Sequence, residues 1–174
     1  MKIFLKSIFV VAILCGIILG YVHEVPYFSN TFEIQYLFFR CLLLGIVVGG
    51  FIGWVLSKKA EDKSDRAPII LFSLVAGMAI FPLLGISSNH LLSKSPPLSI
   101  KVLFQKEEPL RTSRFGIAKN TTVTIDAFYL YFAKDGEIDR IRTKTQSFQH
   151  IEAGQEIELP IKRGFWGFTF VDIL

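Results

Sequence analysis

The chain has 174 residues, 51% of them hydrophobic, and a mean hydropathy of +0.47, more apolar surface than a soluble domain of this size can bury. A freely soluble globular domain is thereby disfavoured, and the excess is expected to face lipid. The net charge of +4 does not point to nucleic acid: the clustered bases lie beside apolar runs, and residues 97–174 are nearly neutral, with eleven Lys and Arg against ten Asp and Glu.

Ser7 to Val22 is an uncharged run of 16 residues. It reaches about 20 if Lys6 lays its stem along the helix, enough to cross a hydrocarbon core of about 30 Å. A cleaved secretory signal is the rival, because Lys2 and Lys6 precede the apolar run, but no small-x-small site follows it. Leu14 also stands before Cys15 where a lipoprotein signal has a small residue. An uncleaved first span over about residues 3–22 is expected.

The second span is expected over about residues 36–56. Gly45, Gly49 and Gly53 fall on one helical face at four-residue steps, with Gly50 beside them, and Gly16 and Gly20 repeat the spacing in the first span. Small faces of this kind let backbones approach closely in lipid. They serve either the chain's own three-helix bundle, with Ser73 and Gly77 of the third span, or a partner subunit or second copy. Arg40 is the single charge inside a span, four or five residues from its end. Snorkelling to lipid phosphate and pairing with an intramembrane or partner group are its two candidate roles.

Lys58, Lys59, Lys63 and Arg66, with Glu61, Asp62 and Asp65, make a hydrophilic connector to a third span over about residues 68–86. Asp65 and Pro68 suit its start, as a cap and a first-turn proline, and Pro82 removes one backbone donor inside it. Short loops rich in Lys and Arg stay cytoplasmic, and the loop from His23 to Gln35 has neither. The N-terminus is therefore expected inside and residues 97–174 outside, in the inner (plasma) membrane of a bacterium. Cys15 and Cys41 both fall in apolar spans, so no disulfide is available to the exported part.

From Leu98 the period changes to two. Expected strands cover Leu98 to Phe104, Thr121 to Ala133, Glu137 to Phe148, Gln155 to Ile161 and Phe165 to Ile173, with Lys134-Asp135-Gly136 as a hairpin turn. The fold class read from the sequence is a membrane α plus β protein: a three-helix region over 1–96, then a mostly antiparallel extracytoplasmic β domain of about five strands over 97–174, as a sandwich or open barrel. Its core is expected to draw on Val123, Ile125, Ile157, Leu159, Phe168 and Phe170. Trp166, in the dense aromatic segment Arg163 to Phe168, is either part of the last strand or a lipid or partner contact. Asn120-Thr121-Thr122 fits a glycosylation acceptor.

His23, His90 and His150 lie far apart in sequence with no cysteine to join them, so no metal site is expected, nor any cofactor. No nucleophile elbow, HExxH, phosphate loop or framed carboxylate pair occurs, so no catalytic residue is assigned. The expected partners are the lipid bilayer and another membrane or extracytoplasmic protein or a second copy, without nucleic acid. The leading functional expectation is a non-enzymatic membrane protein whose exported domain binds or positions a partner, as an accessory, assembly or immunity-type subunit. A small oligomeric transport or channel component packed through the glycine faces is the alternative.

Overall fold

The computed structural model describes residues 2–60, 62–112 and 124–172. Three long apolar helices come first, α1 (Lys2–Asn30), α2 (Ile34–Ser57) and α3 (Arg66–Leu91). Five strands follow: β1 (Leu98–Thr112), β2 (Thr124–Lys134), β3 (Glu137–Thr143), β4 (Glu156–Arg163) and β5 (Thr169–Val171). The chain divides into two compact units that interleave in sequence, unlike a single cut at residue 96. A helical unit holds Met1–Phe28, Glu33–Ser93 and Phe165–Phe168, and a sheet unit holds Ser29–Phe32, Lys94–Gly164 and Thr169–Leu174.

In the helical unit α2 and α3 meet through small residues. The buried positions of α2 are Leu37, Cys41, Gly45, Gly49, Gly53 and Ser57, one every four residues and so one stripe of the helix. The other faces of α2 and α3 carry large apolar side chains outward, among them Val47 and Phe51 on α2 and Leu71 on α3, at 62–68% exposure. All three helices are long and apolar enough to cross a membrane.

Each helix outruns the span expected for it, α1 most of all. It continues past Val22 through His23, Glu24 and Pro26 to Asn30, and carries Glu24 to within 3.5 Å of His90 Nδ1. Asp65 does not cap α3 with its side chain. Instead Asp62 accepts the Ser64 N–H at 3.1 Å and starts a short 3₁₀ turn, Lys63–Asp65, that leads into the helix. That hydrogen bond holds the Asp62 carboxyl below the usual carboxylate range.

The sheet is antiparallel throughout, in the order β3-β2-β1-β4-β5, and curls into a half-barrel. Strict alternation in β4 buries Ile157, Leu159 and Ile161, and these join Val102, Phe104, Leu130, Phe132, Ile141 and Val171 in one core. The β1–β2 ladder slips in register beside Gln105 and again after Leu110, and such irregularities bend a sheet. Asp135 and Gly136 both adopt positive φ, the geometry of the two-residue turn expected between β2 and β3.

Ser29–Phe32 completes this unit. The Asn30 side chain donates to Arg142 O at 2.8 Å and accepts from Arg142 N–H at 2.7 Å, on β3. Its neighbours reach the other margin: Thr31 bridges to Phe170 and the Phe32 N–H donates to Thr169 O at 2.9 Å, on β5. Three consecutive residues, Asn30 to Phe32, thus tie together both edge strands of the half-barrel.

Several local expectations are corrected. The last strand is not Phe165 to Ile173 but the three residues Thr169–Val171, with Phe165–Phe168 in the helical unit. Phe168 therefore leaves the expected sheet core. Ile125 leaves it too, being 53% exposed beyond the second slip in register, whereas Ile157, Leu159 and Phe170 are buried. β3 stops at Thr143, because the following segment turns to let Ser147 and Phe148 N–H donate to the Glu107 carboxylate. β1 runs straight through Pro109, which faces Phe128. Val123 and the Asn120 acceptor lie outside the described residues.

Candidate functional site

The end of α3 in the helical unit is organised by Asn89, which is 1% exposed. Its backbone O accepts the Phe165 N–H at 2.9 Å, its Oδ1 accepts the Trp166 N–H at 3.1 Å, and its Nδ2 donates to Phe168 O at 3.1 Å. Gly167 supplies the positive φ that the turn requires. The loop is thus held by backbone recognition, and its side chains are left for other work.

Trp166 Nε1 donates to Ser88 Oγ at 2.8 Å, and the Ser88 hydroxyl donates in turn to Leu84 O at 2.6 Å. With its one polar atom satisfied, the indole stands edge-to-face with Phe165 at 5.3 Å, the two rings 49% and 57% exposed. Phe168 points the other way. It packs on the cluster of Leu37, Cys41 and Ile86, and the Arg40 guanidinium lies 5.5 Å from its ring centroid. Arg40 and Trp166, far apart in sequence, therefore share one aromatic loop.

A second grouping had no counterpart in the sequence reading. Glu24 is 5% exposed, with Oε1 3.4 Å from His23 Nδ1 and Oε2 3.5 Å from His90 Nδ1. His90 Nδ1 also lies 3.1 Å from Ile86 O, and because a carbonyl only accepts, that nitrogen carries the proton. The His90 ring stacks on Tyr27 at 3.5 Å, nearly parallel. Buried and roofed by Tyr27, this carboxylate–imidazole pair joins α1 to α3. His23 and His90 thus gather around one acid, while His150 belongs to the sheet unit. Among the described residues no group of three or more His, Cys, Asp or Glu is placed to hold a metal.

The glycines divide clearly. A Cβ on Gly45 would strike the Gly77 carbonyl, one on Gly49 would lie 2.5 Å from Ser73 O, and one on Gly53 2.8 Å from Ile70 Cα. Gly77 is the reciprocal partner of Gly45. Gly20 faces only the Leu83 side chain, and a Cβ on Gly16 would meet nothing within 4 Å. So α2 and α3 touch backbone to backbone, whereas α1 docks through side chains, including the Tyr21 hydroxyl on Ala79 O at 2.8 Å.

The sheet unit has an open margin. Among the described residues β1 pairs from Leu98 to Val102 with β4 on one side only, since its ladder with β2 begins at Leu103 and Ala133. Beside that stretch lies an open groove of about 470 Å³ bordered by Ile100, Leu103, Lys134 and Glu156. Lys101 spans part of it to Glu156 at 2.7 Å, and this contact raises the Lys101 ammonium above the usual lysine range.

The chain matches no protein-family model, no curated protein and no solved structure. Its site therefore has to be read from its own residues.

Proposed function

We propose that this is a non-enzymatic integral membrane protein of the bacterial inner membrane, with its N-terminus cytoplasmic and its half-barrel on the periplasmic or extracellular side, where the sheet binds or positions a partner protein. The carrying observation is the unpaired Leu98–Val102 margin of β1 beside its groove. An extended segment can add to such a margin as one more strand, main-chain hydrogen bonds supplying affinity and side-chain pockets selectivity. Exposed Leu98, Leu103 and Ile138 give the neighbouring surface an apolar character that a partner would cover.

The test has two parts. A membrane-impermeant thiol reagent on intact cells should label a cysteine placed at Ser147 and spare one at Ala60, because four cations lie between residues 58 and 66; the reverse pattern defeats the orientation. A photo-crosslinking residue at Ser99 or Lys101 should then give a discrete protein adduct in native membranes, and one at the exposed Gln149 should not. Equal or absent adducts defeat the partner role.

The oligomeric transport or channel alternative has weaker support. The glycine face of α2 that would build such an assembly is occupied by α3 of the same chain.

A further inference from the structure

The chain has two tryptophans, both near ends of the apolar helices and each beside another aromatic ring. Trp54, near the C-terminus of α2, has Lys58 Nζ 3.5 Å over its ring and Phe51 at 6.1 Å. Trp166, fixed to the last turn of α3, has Phe165 at 5.3 Å and shares its loop with the Arg40–Phe168 contact. Arg40 and Lys58 sit on one helix. Eighteen residues at about 1.5 Å each put their Cα atoms about 27 Å apart, close to the hydrocarbon thickness of about 30 Å. Rings of Trp with flanking cations at that separation are what a bilayer selects at its two interfaces.

We propose that Arg40, Phe165, Trp166 and Phe168 form a phospholipid-interface site, one of two such belts on the helical unit. Arg40 holds a lipid phosphate, and the Phe165–Trp166 pair rests at the boundary between head groups and acyl chains. This rests on the membrane reading of the helices. None of the ion pairs among the described residues involves Arg40, so its guanidinium, stacked by one face on Phe168, keeps donors for a phosphate. The indole N–H is already satisfied by Ser88, which leaves an apolar outward surface. Leu84, Leu91 and Leu92, exposed at the same C-terminal part of α3, are aliphatic where a protein interface would carry a polar rim. Locking the loop on Asn89 before any lipid arrives removes most of the ordering cost of contact.

Two single-tryptophan proteins separate this site from the premise beneath it. Trp54→Phe leaves Trp166 as the reporter and Trp166→Phe leaves Trp54, with Tyr replacing Phe if yield falls. Each full-length protein is placed in phosphatidylcholine vesicles carrying acyl-chain bromines either near the carboxyl end or near the terminal methyl. Both reporters should be quenched about twofold more by the shallow bromines. Quenching of Trp54 with none of Trp166, or deepest quenching of Trp166 by the terminal bromines, overturns the interface site and leaves the membrane reading standing. Failure of both reporters to be quenched overturns the membrane reading itself. The phosphate contact is read separately, by comparing thermal midpoints in phosphatidylglycerol and in phosphate-free galactolipid. Wild type should lose stability in the galactolipid and Arg40→Met should lose distinctly less; equal losses overturn the contact.

Discussion

The helical unit and the sheet unit are built by opposite rules. In α2 the small residues Cys41, Gly45, Gly49, Gly53 and Ser57 are inside and Phe39, Val47 and Phe51 outside; in the sheet Phe104, Phe132 and Leu159 are inside and Lys, Glu and Asp outside. Water drives large apolar groups together, so the sheet follows the ordinary rule. Lipid gives no such drive. What remains is close approach of backbones, which favours the smallest side chains at the contact. The inversion is what the proposed membrane placement calls for, with lipid around the helices and water around the sheet.

Reciprocal substitutions should break that comparison most sharply. Phe132→Ala opens a cavity in the half-barrel and should cost about 3–5 kcal/mol. Gly49→Ile forces a branched side chain against Ser73 O and Leu74 Cα, neither of which can retreat without parting two helices, and should cost about 3 kcal/mol or more. Gly50→Ala, with nothing within 4 Å of the added Cβ, should be neutral or slightly stabilising. Thermal midpoints and monomer yield in detergent decide the matter. Tolerance of Gly49→Ile would mean that the glycine stripe is incidental.

Asparagine substitutions come next and sharpen the comparison, since each unit relies on one buried Asn to hold a distant piece of chain. Asn89→Ala leaves the Trp166 N–H and the Phe168 carbonyl without their partner, and Asn30→Ala does the same to both backbone groups of Arg142. Each should cost about 1–3 kcal/mol by denaturant titration. Asn89→Ala should in addition shift Trp166 emission, as the indole comes loose from Ser88. An unchanged spectrum would show that Asn89 does not hold the loop.

Surface changes on either unit should do least. Ile125→Thr, on an exposed site, should stay within about 0.5 kcal/mol, in contrast to Ile157→Thr in the core. The Lys101 ammonium is raised by Glu156, so its contribution is complete at neutral pH and fades as pH climbs through the raised value, above the ordinary lysine range. The Asp62 carboxyl is lowered by Ser64, so its contribution is present above the ordinary carboxylate range and lost as pH falls through the lowered value. Lys101→Gln and Asp62→Asn should remove the respective slopes in pH-dependent unfolding curves.

Features with a local physical cause were legible in the sequence. Apolar length announced the helices, period-two patterning announced β4, and Asp135-Gly136 announced its hairpin. Four-residue spacing drew attention to Gly45, Gly49, Gly53 and Gly77, although it could not say that they face one another, nor that Gly16 faces nothing. Features that depend on a distant partner were not legible. Glu24 falls in the loop expected after Val22, because the residue it meets, His90, lies 66 positions away in the sequence. Phe165–Phe168 looked like strand because aromatic residues favour strands, and its capture by Asn89 leaves no mark in the surrounding pattern. Arg40 could be noticed as a lone cation, but its ring partner could not.

The tie made by Ser29–Phe32 bears on when the half-barrel can be finished. This turn must bind Arg142, 112 positions further along the chain, and Thr169 and Phe170 beyond that. Contacts so remote in sequence form slowly, because a long loop has to close before they contribute anything. The sheet therefore cannot be sealed until β5 has arrived. Its margins stay open until then, and a chain lacking Thr169–Val171 would keep them open for good.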